Sequence, residues 1–410
     1  MGNALKRYRV IDFGTAMAAP VLTRMMADMG AEVIKVESRE KMDGIRMGRP
    51  IIGDDIAGGD RGEWPNLQPA FHNYNRNKRG ITLSFKNPRG VQLLKDLVRI
   101  SDVVCNNFRP GMLAEVGLGY DELVKINPGI IDISLTGVGE YGPLSEIPTY
   151  AHSITALSGL NSLIGYRDEL IGTMACAYGD SNASIHGLLA VLAALYYRER
   201  TGRGQHIDLS EAQASTSILG EAIMEYVMNG RVLGPQGNDN PAFAPHSNYP
   251  CKGDDKWIAI AVKTEEEWKS FCEATGHPQW VRDERFADKY CRWQHRVELD
   301  QLINAWTMNH SPYEVMEILQ AAGIAAVPVM NIEDEYLDPH FRERQTFVEF
   351  SHPLVGEEVI YGFPWKMNKT PASVYRHAPS LGEDNEYVFG QLLGLKKEEI
   401  VQLQEEKVIY

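Results

Sequence analysis

Several things are scarce in this chain, and each scarcity excludes something. Five cysteines in 410 residues (Cys105, Cys176, Cys251, Cys272 and Cys291) form no CxxC pair and no metal-ligand spacing. Their odd number also argues against a disulfide framework, so a reducing cytoplasm is the expected setting. Long apolar runs are missing. The longest, from Leu188 to Tyr197, reaches only about half of the roughly 20 residues that a membrane span needs. Positive charge is short: Lys and Arg number 41 against 55 Asp and Glu, a net charge of −14. That balance speaks against nucleic acid or an anionic membrane as partner unless cations gather locally. The opening MGNALKRYRV has no apolar core of the kind a signal peptide carries. Lys6 stands where a myristoylation signal starting at Gly2 would need Ser or Thr. No HExxH, HxxEH, GxSxG or P-loop occurs, which leaves metal hydrolase, serine hydrolase and kinase readings without support.

What is present is alternation. A chain of this length is too long for one typical core. The expected division is a large domain over 1–229, a linker and small α+β domain over 230–330, and a return to the large domain over 331–410. Strands are predicted at 9–13, 32–37, 80–85, 102–108, 129–134 and 205–210. Helices are predicted at 20–30, 88–100, 120–126, 152–160 and 211–229. Strands and helices alternating at this spacing form a parallel, doubly wound sheet. The turn after the first strand has no GxGxxG, so the dinucleotide fingerprint is missing there. A long polar segment, 38–73, reads as a functional loop or one that wraps a neighbour. In the small domain a hairpin is expected over 249–261 with its turn at Gly253-Asp254-Asp255. Helices follow at 264–275 and 312–322, and a strand at 324–330 leads back.

Four sets of residues could carry chemistry. Gly179-Asp180-Ser181-Asn182 marks the turn into the most apolar helix of the chain. If that helix starts at Ser181, Asp180 is its N-cap, worth roughly 1 kcal/mol. The positive helix end would also keep an exposed carboxylate ionised, as a nucleophile requires. Both roles remain open. Arg76, Lys78 and Arg79, with Lys86 and Arg109, concentrate cations in an acidic chain. They suit a nucleotide with a pyrophosphate and a third phosphate, or they are solvated surface charges. Glu140 lies on a Gly-rich loop, 135–143, that follows a strand, where such folds place ligands; it is most simply a solvated turn residue. His152 is either a satisfied core histidine or a proton-transfer group.

The segments Val10-Ile-Asp-Phe13, Gly30-Ala-Glu-Val-Ile-Lys-Val-Glu37, Asn75-Arg-Asn-Lys78, Asn107-Phe-Arg-Pro-Gly111, Gly117-Leu-Gly-Tyr120, Gly179-Asp-Ser-Asn182, Thr201-Gly-Arg-Gly-Gln205 and Ala378-Pro-Ser-Leu-Gly-Glu383 together resemble the class III coenzyme A transferases, over nearly the whole chain. The resemblance implies an α/β architecture: a Rossmann-like doubly wound large domain plus a smaller α+β domain, assembled as an interlocked dimer. It implies coenzyme A thioesters as substrates, with no tightly bound cofactor and no metal. Asp180 falls where the family keeps its catalytic aspartate, which passes through an aspartyl anhydride and an aspartyl-CoA thioester. Glu140 matches a carboxylate that some transferases keep on this loop, and Arg76, Asn77, Lys78, Arg79, Asn107, Phe108 and Met17 fall at coenzyme-binding positions.

The chain departs from formyl-CoA transferase. Met17, Ser38 and Glu115 stand where that enzyme has Gln, Arg and Arg, and 238–245 replaces its Gly-rich lid. A larger, aromatic acid suits Met17 better than formate or oxalate. The overall look is closest to the anaerobic aromatic transferases of the succinyl-CoA:benzylsuccinate kind, which pair a catalytic with a non-catalytic homologous subunit. Retention of Asp180 would make this chain the catalytic one, partnered by a second copy or by a paralogue. Two alternatives stay open: a 2-methylacyl-CoA racemase using His152 with Asp180, and a non-catalytic subunit that only binds coenzyme A.

Overall fold

The computed structural model describes residues 3–47, 64–166, 169–174 and 176–410. Gly2 and the middle of the long polar segment, 48–63, lie outside them. The chain divides into two compact units. One comprises Met1–Asn161, Thr173–Arg231 and Gln345–Tyr410, the other Ser162–Gly172 and Val232–Arg344.

The larger unit is built on six strands: β1 (Arg9–Asp12), β2 (Glu32–Glu37), β3 (Arg79–Thr82), β4 (Val103–Asn106), β5 (Ile131–Thr136) and β6 (Gln205–Ser210). All pair in parallel, in the order β3-β2-β1-β4-β5-β6. β4 and β5 are buried along their whole length, as strands covered on both faces must be. The order reverses between β1 and β4. A crevice therefore opens beyond their carboxyl ends, where doubly wound folds hold ligands.

Helix Ala18–Asp28 is buried throughout. It runs beside the central helix, Tyr178–Thr201, and Gly187 permits the approach, since a Cβ there would lie 2.6 Å from Leu22 Cδ1. The central helix buries Ala183, Val191, Ala194 and Leu195, yet Ile185, Leu189, Leu192 and Tyr196 are exposed at helical spacing. The carboxyl-terminal tail protects the β3 edge. The Asp384 amide donates to the Gly80 carbonyl at 2.9 Å, the Thr82 amide donates to Asn385 Oδ1 at 2.9 Å, and Leu83 bridges to Ile409. An edge covered in this way offers no template for another chain.

The smaller unit holds an antiparallel sheet of β7 (His246–Pro250), β8 (Trp257–Ala261) and β9 (Ala325–Val329), in the order β9-β8-β7. Its core gathers Trp268, Phe271, Phe286, Leu299 and Ile303.

The structure departs from the sequence expectation in three places. The strand near 324–330 does not lead back to the large unit: it completes the small sheet, and the large unit resumes at Gln345. The helix expected over 211–229 is two helices, Glu211–Thr216 and Gly220–Asn229. Between them Ser217 Oγ donates to the Ala214 carbonyl at 2.7 Å and Thr216 Oγ1 to that of Ala212 at 2.9 Å, and such local bonding competes with helix continuation. The central helix begins at Tyr178, with Ala177 as its cap residue, so Asp180 is not an N-cap.

Candidate active site

The crevice is shaped first by charge buried beneath it. Asp12 ends β1. Its Oδ1 accepts the Gly14 amide at 2.8 Å, and its Oδ2 accepts Lys78 Nζ at 2.8 Å and Thr23 Oγ1 at 2.9 Å. Lys35 donates to the Gly14 carbonyl at 2.7 Å and to Asp43 Oδ2 at 3.0 Å, while Asp43 Oδ1 accepts the Ala16 amide at 2.8 Å. Burial alone would raise the Asp12 carboxyl, but Lys78 and Lys35 outweigh it and hold it below its usual range. The loop after β1 is thus clamped from inside. Above it, Asn107 Oδ1 accepts the Thr15 amide and Asn107 Nδ2 donates to the Thr15 carbonyl, both at 2.8 Å. These bonds join the two loops at the point where the strand order reverses. Met17, half-buried, and Phe108 belong to the same two loops.

The cation patch expected from the sequence is not presented as one. Arg76 is buried, donating to Asp28 Oδ1 at 3.1 Å and Oδ2 at 3.0 Å and to the Tyr361 carbonyl. Asn77 Nδ2 donates to Asp28 and to the Ser373 carbonyl, both at 2.8 Å. Lys78 is fully buried on Asp12. Arg79 opens β3, at the amino edge away from the crevice, where it pairs with Asp384 and Glu32 and stacks on Tyr387. Lys86 pairs with Glu40 at 2.8 Å and Arg109 with Glu115 at 2.6 Å, both exposed. The physical reason is that a buried cation must meet a carboxylate, and the acidic excess of the chain supplies one for each.

Asp180 is the third residue of the central helix, inside its first turn, where the helix dipole favours negative charge. It is half-buried rather than exposed as the sequence suggested, and its Oδ2 is buried with no hydrogen-bond partner among the described residues. Burial pushes its carboxyl above the usual range, opposed by its own backbone amide and by His152. His152, exposed on helix Ala151–Leu157, meets Thr173 Oγ1 at 3.2 Å. Glu211 feels Asp180 as a like charge, and so does the Tyr74 phenol.

Glu140 belongs to a different network. Its carboxylate meets His206 Nε2 at 2.8 Å, and His206 Nδ1 meets Asp132 Oδ2 at 2.8 Å. Those two bonds push the imidazole up to about 10, so it is an imidazolium at neutral pH, and the bond from His206 holds Glu140 below its usual range. The Glu140 amide donates to Asp208 at 3.0 Å. Gly139 takes φ +92 to make the bend, and at Gly137 a Cβ would strike Thr149 Oγ1 at 1.9 Å. Glu140, His206, Asp132, Tyr120 and Arg109 line a cavity of about 480 Å³. Glu140 is therefore no solvated turn residue.

Sequence reasoning passed over Glu211, His206 and Asp132. An acid in the first turn of a helix is ordinary, and the other two sit within predicted strands, so none gave a signal. Among the described residues no helix is long and apolar enough to cross a membrane, and no group of His, Cys, Asp and Glu could hold a metal ion.

Comparison with known proteins adds a second line. The profile of CoA-transferase family III matches residues 5–385. A succinyl-CoA–D-citramalate CoA-transferase from Chloroflexus aurantiacus is 33% identical over 98% of this chain and 97% of its own. A succinyl-CoA–L-malate CoA-transferase beta subunit from the same organism is also 33% identical, over 98% and 97%. A CAIB/BAIF family protein from Brucella suis superposes with a TM-score of 0.85 at 28% identity, covering 96% of this chain and all of that one.

Proposed function

This chain belongs to CoA-transferase family III, and we propose that it moves coenzyme A from succinyl-CoA to a second dicarboxylic acid through Asp180. The observation that carries this reading is the Asp180 carboxyl, set in the first turn of the central helix with one buried oxygen unpartnered. A carboxylate kept only for structure would be satisfied.

An oxygen of Asp180 attacks the thioester carbonyl; a C–O bond forms, the C–S bond breaks and coenzyme A leaves as thiolate. The thiolate then attacks the aspartyl carbonyl, and the aspartyl-CoA thioester forms as succinate departs. The acceptor carboxylate runs both steps in reverse. Anhydride and thioester are both high-energy acyl species, so no ATP is consumed. Backbone amides of the 137–142 loop and of the first helical turn are the donors we assign to the oxyanions, and Glu140 anchors that loop through His206. Coenzyme A lies against Met17, Asn107 and Phe108 at the crevice. Arg76, Asn77 and Lys78 support this edge from inside without touching the ligand.

For the acceptor, the relatives named for citramalate and malate point to a dicarboxylate. Met17, apolar where formyl-CoA transferase has a polar residue, favours one bearing an aromatic substituent, such as benzylsuccinate. A panel of succinyl-CoA with benzylsuccinate, malate and citramalate decides, read by acyl-CoA product; preference for the two hydroxy acids would overturn the aromatic assignment. Intact-mass measurement after hydroxylamine treatment with acyl-CoA should find the hydroxamate at Asp180, and its absence would sink the covalent mechanism.

A second protomer is proposed to cover the exposed stripe Ile185, Leu189, Leu192 and Tyr196 of the central helix and, on helix Gly220–Asn229, the exposed Val227 and Met228; exposed apolar surface of this kind marks an interface. The family's interlocked dimer fits it, with a second copy or a paralogous subunit as partner. Native mass of the purified protein tests this, and a monomer would refute it. One observation favours a rival: His152 acts on Asp180, the pair a 2-methylacyl-CoA racemase would use. Solvent deuterium entering the α-carbon of a 2-methylacyl-CoA without transfer would establish that rival.

A further inference from the structure

Strands Phe347–His352 and Gly356–Tyr361 form a hairpin of the larger unit, paired from Phe347 with Tyr361 to His352 with Gly356. Three histidines from three segments pin it in place. His72, on helix Pro69–Asn75, meets the Asn66 carbonyl through Nε2 and Glu358 of the hairpin through Nδ1, both at 2.8 Å. His352 closes the first strand and stacks on His72, the ring centroids 4.2 Å apart and the planes 16° from parallel. His377, in the carboxyl-terminal tail, meets His352 edge to face at 5.2 Å, and its Nδ1 meets the Ala378 carbonyl at 3.0 Å. His72 and His352 are both buried.

The two stacked rings are not equivalent. His72 has a carboxylate on Nδ1, so a positive charge on that ring is met directly. His352 Nδ1 instead accepts the Leu354 amide at 3.2 Å, a bond within the hairpin turn. A nitrogen that accepts an N–H carries no proton, so His352 keeps its one ring proton on Nε2. A second proton, on Nδ1, would set two donors against each other and put another charge into the stack. The charged groups around it are engaged. Glu358 is bonded to His72, Glu383 meets Arg376 at 2.8 Å and His377 at 3.4 Å, and Asp384 is held by Arg79 and Arg376. Arg46 donates to Glu37 and to the Pro379 carbonyl. Burial first, and then the His72 charge, push His352 down to about 4 against the pull of Glu358.

We propose that His352 is the sensing group of an acid-opened latch: a proton taken from water on Nδ1 frees the hairpin from His72 and from the tail, and with it the support that the hairpin gives Arg76. That support is direct. Arg76 donates to the Tyr361 carbonyl, and the Tyr361 ring lies 4.8 Å from the Arg24 guanidinium and 5.1 Å from that of Arg76. By linkage, an opened His352 regains the ordinary histidine value of about 6.5, binds a proton more readily than the closed ring and so draws the latch open. The closed form is therefore most stable above about pH 6.5 and loses stability as pH falls toward about 4. Its effect on coenzyme binding rests on the coenzyme edge assigned above, which Arg76 supports from inside.

Hydrogen exchange of the whole chain in its native assembly, resolved to 347–361 and corrected for the intrinsic rate, tests the latch. Between about pH 7.5 and about pH 5 the opening equilibrium of this segment should rise about 30-fold in the wild type, while 246–261 of the smaller unit stays level. His352→Phe keeps a stacked ring and takes no proton, so its 347–361 exchange should be flat over the same range. A flat wild type, a rise shared by the whole chain, or a rise retained in His352→Phe overturns the latch. Should the Phe variant not fold, the His352 ring resonances of the wild type decide: a midpoint near about 4 supports the latch and one near about 6.5 overturns it. KM for succinyl-CoA should rise at least about twofold over this pH range in the wild type and stay level in His352→Phe. A level wild-type KM beside rising exchange refutes the link to Arg76. A protein that turns over no succinyl-CoA removes the coenzyme reading, and the exchange measurement still decides the latch.

Discussion

The cluster around Asp12 and the pair Asp180–Glu211 both bury charge in the larger unit, and they are finished differently. Asp12, Lys35, Asp43 and Lys78 are at most 1% exposed. Asp12 spends both oxygens on a backbone amide, a hydroxyl and an ammonium, and Lys35 bridges a carbonyl and a carboxylate. Asp180 and Glu211, half-buried and buried, each keep one oxygen unpartnered. A satisfied buried network holds a loop in place, whereas an unsatisfied one stores the cost of desolvation where a substrate can relieve it. Burial alone distinguishes nothing here; hydrogen-bond accounting does.

That contrast can be broken by mutation, beginning with the largest effect. Asp180→Asn should lower transfer by at least about 10³-fold without lowering the urea midpoint, because it removes an unsatisfied acid rather than a paired one. A loss of less than tenfold would put Asp180 among the structural residues. Lys78→Met leaves Asp12 buried opposite Lys35 alone, and loss of one partner in a buried pair costs about 3–5 kcal/mol. Urea unfolding checks this, and an unchanged midpoint would show the cluster to be dispensable.

His206 lies between the two cases, paired with carboxylates yet lining a cavity. Its folded pKa, about 10, is above the ordinary histidine value of about 6.5. The stabilisation is therefore complete below about pH 6.5 and is lost as pH rises toward 10. His206→Gln should flatten the decline of unfolding free energy across that window, and a variant that keeps the wild-type slope would remove His206 as its source. Smallest is Lys86→Ala. Its ion pair with Glu40 is exposed, and such pairs contribute little, so neither thermal midpoint nor transfer rate should move. A clear drop would revive Lys86 as a ligand contact.

Much of this was legible in the chain. The strands of the parallel sheet, the turn of the small hairpin and the helix at 120–126 could be placed because periodicity and breaker residues act locally. Asp180 was noticed because it heads the most apolar helix of the chain and falls where the family keeps its catalytic aspartate. The start of that helix was misplaced because Tyr178 and Gly179 do not look like a helix opening, and packing of Gly179 against Ile154 and Ser215 carries the helix past them. Arg76 and Lys78 looked like ligand cations because their partners Asp28 and Asp12 stand 48 and 66 residues away in the chain. Glu211 looked like any acid in a first helical turn.

The sequence by itself determined the family, the alternation of strands and helices, and the identity of the acid at the head of the central helix, because these are properties of neighbouring residues and of recurring segments. Only the tertiary structure decided which charges are paired and which are left open. Pairing depends on which distant side chains the parallel sheet and its crossing helices bring within hydrogen-bond reach, and in a buried site that decides whether a charged group holds the fold or is free to react.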